Sequence, residues 1–405
     1  MARKMKDSGI EWIGEIPEGW EVVPVKRLCT MQAGKNLTSE QIAPEGTYPV
    51  YGGNGIRGFF SDYNCDGQFL TIGRQGALCG NVHKINGKVW ATEHAVITTP
   101  SSYTILDFLY YLLIGMDLNQ YVSSTAAQPG LAVGTLLNLK TCYPCSTLEQ
   151  TQISNYLNAK CSEIDTMLSK TRASIEEYKK LKQSVITQAV TKTIYDDFGN
   201  PSKFRKLRSL CDVLSKGTTP KDIETQNDEF YCIRYLKSEN IVSNQLNLNP
   251  TFFITAETNN SLERSKLNSG DILFVIAGAS IGKVAITTAD FLPANTNQAV
   301  AFIRLSSSYQ YATKYIWYFL QSDVVKQLIA LSAVQSAQPN LSLEDLGAMR
   351  LPLPDQMGCL KITNYLDAKC AEIDKLIAKK EQLVKELESY KKSLIYEVVT
   401  GKREV

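Results

Sequence analysis

Residues 153–165 of this chain, ISNYLNAKCSEID, recur as residues 362–374, ITNYLDAKCAEID. The offset of 209 holds without a gap to Val190-Thr191 against Val399-Thr400, about forty residues in register. A match of that length does not arise by chance, so the fold must contain one unit twice. The regions before these segments repeat more faintly. Ala127–Leu131 (AQPGL) matches Ala337–Leu341 (AQPNL), and Thr92–Val96 (TEHAV) lines up with Thr296–Val300 (TNQAV). Leu28-Cys29 and Gly34 line up loosely with Leu210-Cys211 and Lys216-Gly217. The chain reads as a divergent unit, a well-matched segment, a second divergent unit and the matched segment again.

The matched segments carry helical periodicity. Leu157, Cys161, Ile164, Leu168, Thr171, Ile175, Tyr178, Lys182, Val185 and Ala189 alternate steps of four and three. Leu366, Cys370, Ile373, Ile377, Lys380, Val384, Leu387, Lys391, Leu394 and Val398 repeat the pattern. This is an a/d seam with charges on the other positions. Forty helical residues make a rod of roughly 60 Å. Neither rod can bury its stripe alone, and each seam matches the other, so the simplest arrangement pairs them. Matching this close favours a pseudo-two-fold axis and an antiparallel pair, with a divergent unit at each end. A parallel pair would put both units at one end.

The divergent units read as mixed α/β. Gly67–Ile72, Val89–Ile97, Asp271–Ile276 and Gln298–Leu305 are strand-like, and Leu106–Ile114 and Lys314–Leu320 are apolar helices. Tyr195–Ser202 is the most linker-like stretch, and Pro144, Pro352 and Pro354 punctuate the entries into the long helices. The expected fold class is α+β: two mixed α/β domains separated by two long helices that form an antiparallel coiled coil, a pseudo-two-fold internal repeat. The expected boundaries are 1–150, 151–195, 196–355 and 356–405. The composition is ordinary for a globular protein, 44% hydrophobic and 21% charged. Met1–Gly9 is polar, no run approaches eighteen apolar residues, and Cys161 and Cys370 fall inside helical patterns as small core residues. The expectation is a soluble, reduced, cytoplasmic protein.

Several motifs imitate catalytic or ligand-binding sites. Gly53-Asn-Gly55-Ile-Arg-Gly58 satisfies G-x-G-x-x-G, but Phe59-Phe60-Ser61-Asp62 does not start a helix, so a glycine-rich turn is the better reading. Ala277–Val284 (AGASIGKV) resembles a phosphate-binding loop, yet it lacks the first glycine, and Val284 replaces the magnesium-binding hydroxyl. Its counterpart, Gly76–Asn81, has no lysine. Cys142 and Cys145 have zinc-like spacing without a second pair, and zinc needs four ligands. His83 and His94 are too few for a histidine-built metal site. No nucleophile elbow, zinc-protease helix, amino-methyltransferase tetrad or paired-carboxylate nuclease cluster is present. The expectation is that this chain alone is not an enzyme and binds no cofactor or metal.

The arrangement as a whole resembles the specificity subunits of type I restriction–modification systems. The opening Asp7–Val22 (DSGIEWIGEIPEGWEV) is similar to that family's usual N-terminus. Gln128-Pro129 and Gln338-Pro339 near the end of each divergent unit, and the starts of both long helices, are similar too. The resemblance covers essentially the whole chain. It implies that residues 1–150 and 196–355 are target recognition domains and that 151–195 and 356–405 are the spacer helices. Each domain would read one half of an asymmetric bipartite site on double-stranded DNA, and the helical pair would set the unread gap. The implied partners are two modification (methyltransferase) subunits, which carry S-adenosylmethionine and methylate adenine, and motor–nuclease restriction subunits for cleavage. The rival reading is a non-catalytic two-module scaffold that binds protein partners rather than DNA.

Charge gives DNA binding no support. Residues 1–150 carry 11 basic and 13 acidic side chains, and residues 201–355 carry 15 and 14. Either the basic residues cluster on one face, or the modification subunits supply most phosphate contacts. Major-groove readout favours Arg and Lys on guanine and Asn and Gln on adenine. On glycine-rich loops the candidates are Lys35, Asn36, Asn54, Arg57, Arg74 and Gln75 in the first domain. In the second they are Lys216, Thr218, Thr219, Lys221, Arg234, Lys237, Ser280 and Lys283. Gln128 and Gln338 recur in both halves, which argues for a structural role or a shared backbone contact rather than sequence choice.

Overall fold

The computed structural model describes residues 3–76, 79–122, 130–191, 204–333 and 340–405. The chain divides into two compact units. Unit 1 is Met1–Arg172 with Gln382–Val405, and unit 2 is Ala173–Glu381. Each unit therefore contains a mixed domain and parts of both long helices.

Seven strands of unit 1 place its loops: β1 (Cys29–Ala33), β2 (Tyr48–Gly52), β3 (Gly55–Phe60), β4 (Gln68–Gly73), β5 (Val82–Asn86), β6 (Trp90–Ala91) and β7 (Ala95–Pro100). They form an antiparallel sheet of order β1-β7-β4-β5 and a smaller one of order β3-β2-β6, in which β2 and β6 run parallel. Unit 2 repeats the plan with β8 (Cys211–Lys216), β9 (Tyr231–Leu236), β10 (Phe253–Thr255), β11 (Ile272–Val275), β12 (Val284–Ile286), β13 (Ala294–Thr296) and β14 (Val300–Leu305). Its orders are β8-β14-β11-β12 and β10-β9-β13, again with one parallel pair, β9 and β13. The duplication therefore reaches down to strand order and direction.

One face of each larger sheet is covered by a helix: α1 (Leu106–Gly115) in unit 1 and α3 (Thr313–Leu320) in unit 2. Phe108, Leu109, Leu112 and Leu113 of α1 are buried with Leu70, Ile72 and Val96 of the sheet. Ile316, Phe319 and Leu320 of α3 are buried with Phe274 and Ile303. The long helices are α2 (Thr147–Thr191) and α4 (Gln356–Val399). Tyrosine pins each covering helix to a long helix, and the two acceptors on the long helices, Asn158 and Asp367, are 209 residues apart. The Tyr111 hydroxyl donates to Asn158 Oδ1 (2.9 Å), and that of Tyr318 donates to Asp367 Oδ1 (2.8 Å).

The apolar seams are buried in part. Leu157, Cys161, Ile164 and Leu168 follow the period, as do Leu366, Cys370 and Ile373, whereas Val185, Ala189, Ile377, Val384 and Leu387 are half-buried and Ile186 and Val190, one position beside the seam, are buried. In unit 1, Leu157, Cys161, Ile164 and Leu168 of α2 share a core with Leu394, Ile395, Val398 and Val399 of α4. In unit 2, Ile186 and Val190 of α2 share a core with Leu366 and Cys370 of α4. The early part of α2 thus meets the late part of α4, and the late part of α2 meets the early part of α4, which is antiparallel pairing. Lys182 and Lys391, which interrupt the two seams, span the pair. Lys391 Nζ lies 2.7 Å from both carboxylate oxygens of Asp165, and Lys182 Nζ lies 2.7 Å from both of Asp374. These four residues are two copies of one contact at the offset of 209.

Two expectations about the domains need correcting. The run Val89–Ile97 is not one strand: it breaks into β6 and β7 around a turn closed by the Ala95 N–H on the Thr92 carbonyl (2.9 Å). The strand expected from Gln298 likewise begins only at Val300, after the matching turn. In addition, TEHAV and TNQAV align one residue out. Gly34 N donates to Ala95 O, and Gly217 N donates to Val300 O, so Ala95 corresponds to Val300 rather than to Ala299. The apparent identities Thr92/Thr296 and Ala95/Ala299 drew the alignment off by one, whereas the backbone hydrogen bonds fix it. The linker-like Tyr195–Ser202 lies outside the described residues.

Candidate nucleic-acid interface

Four loops of unit 1 meet at one end of its sheets, and hydrogen bonds and backbone packing hold them there. After β1, Gly34 sits flush against the β6–β7 turn, where an added Cβ would run into the carbonyl oxygens of Ala91 and Thr92. That approach sets the direction in which the chain leaves β1. Lys35 N donates to Ala91 O (3.0 Å), and Trp90 Nε1 donates to Lys35 O (3.3 Å). The β2–β3 hairpin tip comes as close. A Cβ on Gly53 would lie 2.9 Å from Gln75 O and 3.5 Å from His94 O. In the β4–β5 turn, Arg74 N donates to His94 O (3.0 Å), and its Nε donates to Leu131 O (3.3 Å). Asn81 Nδ2 donates to Asn54 Oδ1 across the gap between hairpin and turn (3.2 Å).

The six candidates of the first domain are therefore brought together. Lys35, Asn36, Asn54 and Arg57 are exposed there, and Arg74 and Gln75 are half-buried. The two glycine-rich runs that imitated nucleotide motifs are connections between strands. Gly53-Asn54 turns the β2–β3 hairpin, and residues 276–283 join β11 to β12.

Unit 2 builds the same end with other side chains. Gly217 lies against the carbonyls of Thr296 and Asn297. The Tyr235 hydroxyl donates to Thr218 O (2.9 Å), and Ile276 N donates to Ala299 O (2.9 Å). Lys216, Thr218, Thr219 and Lys283 are exposed at this end, Ser280 is half-buried, and Lys221 is exposed on the loop leaving Thr219. Lys237 follows β9, with its ammonium 3.5 Å from the centre of the Phe252 ring. Arg234 lies on strand β9 rather than on a loop, and its Nη1 donates to the Asp290 carbonyl (2.7 Å). Gln128 and Gln338 lie outside the described residues. Their neighbours Gly130 and Asn340 bridge to Gln75 and Ala277, respectively.

Sequence reasoning passed over two residues at this end. Asn81 occupies the turn position that Lys283 occupies in unit 2, and the signal was the shared G-A-x-x-G spacing. His83 lies under the hairpin, 3.5 Å from where a Cβ of Gly55 would stand, and its Nε2 is buried without a hydrogen-bond partner. Burial pushes its pKa below the usual histidine value. Of the zinc-like pair, Cys142 is fully buried and Cys145 is exposed. Burial raises the Cys142 thiol to about 12. Among the described residues no cluster of His, Cys, Asp or Glu is placed to hold a metal ion, and no helix is long and apolar enough to cross a membrane.

The molecule is thus a duplicated loop-presenting domain on a duplicated helical seam, with unlike side chains on like loops. The family described as the type I restriction modification DNA specificity domain matches this chain twice, at residues 17–177 and 200–386. The chain belongs to that family of type I specificity subunits. It is 42% identical over 161 residues to the EcoprrI specificity subunit of Escherichia coli, a match spanning 39% of this chain and 38% of that one. It is 23% identical to the MjaVIII specificity subunit of Methanocaldococcus jannaschii over 96% of this chain and 93% of that one. Among solved structures, a chain from a study of assembly and conformational transition of the type I system superposes with a TM-score of 0.71 at 14% identity, covering 96% and 99% of the two chains. That likeness is one of fold.

Proposed function

We propose that this chain is the DNA-reading, non-catalytic subunit of a type I restriction–modification complex, with each unit reading one half of an asymmetric bipartite site. The observation that carries the proposal is the convergence of like loops bearing unlike side chains. Identical frames place Lys35, Asn54, Arg57 and Arg74 in one unit and Lys216, Thr218 and Lys283 in the other. Two unlike readers on a duplicated frame specify a sequence without a palindrome. The helical pair sets the gap, since a helix of 45 residues is a stiff rod of about 67 Å.

The chemistry belongs to partners in this reading. Two modification subunits carry S-adenosylmethionine and methylate adenine, which must leave the stack first. Motor–nuclease subunits add cleavage, and the complex works in the cytoplasm. Support for a pair of identical partners comes from exposed apolar side chains repeated at the offset of 209. Leu148 and Met357 are 69% and 59% exposed, and Leu181 and Tyr390 are each 49% exposed. Neither domain is strongly basic, at net −2 and +1, which fits a division in which the modification subunits supply most phosphate contacts.

The test is an electrophoretic shift of a DNA library by the chain alone and with its modification subunits, together with mapping of methylated adenines in cells that express both. The expected result is weak, salt-sensitive binding by the chain alone, tight binding by the complex, and a bipartite methylated motif. Protein-only assembly with no motif would favour the scaffold reading instead.

A further inference from the structure

The β4–β5 connection of unit 1 and the β11–β12 connection of unit 2 are one turn built twice. Gly80 N donates to Gly73 O (2.8 Å), and Gly282 N donates to Val275 O (2.9 Å). Cys79 N reaches Gly76 O and Ile281 N reaches Gly278 O, both at 3.1 Å. Leu131 N on Arg74 O and Leu341 N on Ile276 O are both 2.9 Å. The turns also share left-handed glycines, with φ of +87° and +92° at Gly76 and Gly80, and +88° and +87° at Gly278 and Gly282. The offset within them is a constant 202, so the last turn position holds Asn81 in one unit and Lys283 in the other. A frame this alike presents that position the same way to whatever its own unit faces.

The two side chains there differ in hydrogen-bonding character: an amide both donates and accepts, whereas an ammonium only donates. Asn81 is tied to Asn54 through one amide N–H and one amide oxygen. Whichever way the two amides are assigned, the contact between them leaves one amide donor group and one amide acceptor unused by it. That pattern complements the major-groove edge of adenine, whose N7 accepts and whose N6 donates. Lys283 is exposed and makes no ion pair among the described residues. An ammonium only donates, which suits the paired acceptors O6 and N7 of guanine.

We propose that the closing position of this shared turn is a base-reading position in both units. The Asn54–Asn81 amide pair takes an adenine edge in one half-site, and Lys283 takes a guanine edge in the other. The proposal rests on the DNA-reading function above and adds the residues and the bases they select.

The experiment uses the full chain with its modification subunits and selects DNA from a randomised library. The wild-type complex is expected to recover a bipartite motif. Asn54→Ala and Asn81→Ala should each relax the same single adenine position in one half, by roughly tenfold. Lys283→Ala should relax a single guanine position in the other half by a similar factor. Asn81→Lys should turn its adenine preference toward guanine. In every variant the untouched half-site reports that the complex has assembled. A wild-type motif left unchanged by Lys283→Ala overturns the proposal, and so does relaxation by Asn81→Ala and Lys283→Ala in the same half. If an asparagine variant unfolds, Lys283→Ala still decides, because that side chain is exposed. Failure of the wild-type complex to select any bipartite motif would sink the DNA-reading function itself, a result distinguishable from the others.

Discussion

At the scale of single residues, two glycines do the same steric job in both units. Gly34 and Gly217 each sit where a methyl group would strike backbone carbonyls, those of Ala91 and Thr92 or of Thr296 and Asn297. Backbone cannot swing aside as a side chain can, so the loops after β1 and β8 would have to move. Gly34→Ala and Gly217→Ala should each cost about 1–3 kcal/mol in denaturant unfolding. Gly134→Ala is the control: it lies in a short helix with open space around its Cβ position and should be neutral or slightly stabilising. His83 gives a pH prediction. Its folded pKa lies below the ordinary value because burial disfavours the charged ring. The unfolded chain therefore takes up the proton first as pH falls, so stability present above about 6.5 is lost below it. Melting temperature should drop between pH 7 and pH 5 more steeply in the wild type than in His83→Gln. Parallel slopes would show that the ring is already solvated.

At the scale of elements, the long helices are held by apolar packing more than by charge. The lysines of Lys391–Asp165 and Lys182–Asp374 are about one-third exposed or less, but their aspartates are more than half exposed. Water screens such pairs to about 1 kcal/mol or less. Leu157 and Leu366 are fully buried at equivalent seam positions. Leu157→Ala or Leu366→Ala should cost about 2–5 kcal/mol. Lys391→Ala or Lys182→Ala should cost no more than about 1 kcal/mol, read from the same unfolding curves. Equal losses from lysine and leucine would overturn this ranking. The same packing explains what could be read from sequence. A seam must keep its period to stay buried, so α2 and α4 were visible as matched copies with their antiparallel pairing. The domain strands were less legible: β6 and β7 are split by a turn at Thr92-Glu93-His94, a short polar break between apolar ends that read as one strand. The loops were least legible, because their frame is fixed by backbone hydrogen bonds that leave no side-chain signature. Asn81 could have been found from Gly76 and Gly80, yet its pairing with Asn54 depends on a hairpin that only folding brings near. Arg234 shows the converse, a candidate that folding sets on a strand, with one guanidinium N–H given to the Asp290 carbonyl.

At the scale of the whole molecule, the argument turns on length. If α2 and α4 act as a ruler, the gap between half-sites must follow the helix and nothing in the domains. Residues 169–180 lie within α2 and contribute none of the candidate loop residues, so an insertion there lengthens the helix without changing a reader. Four residues add about 6 Å, close to two base-pair steps of about 3.4 Å. Four residues also fall within about 40° of a full turn, so the seam that follows stays nearly aligned with α4. An insertion of two residues would rotate the following seam by about 200° and should unfold the pair. In cells expressing the four-residue variant with its modification subunits, sequencing of methylated adenines should return both half-sites unchanged with an unread gap longer by one or two base pairs. A gap of the original length, with both halves still read, would mean that the helices join the readers without setting their distance.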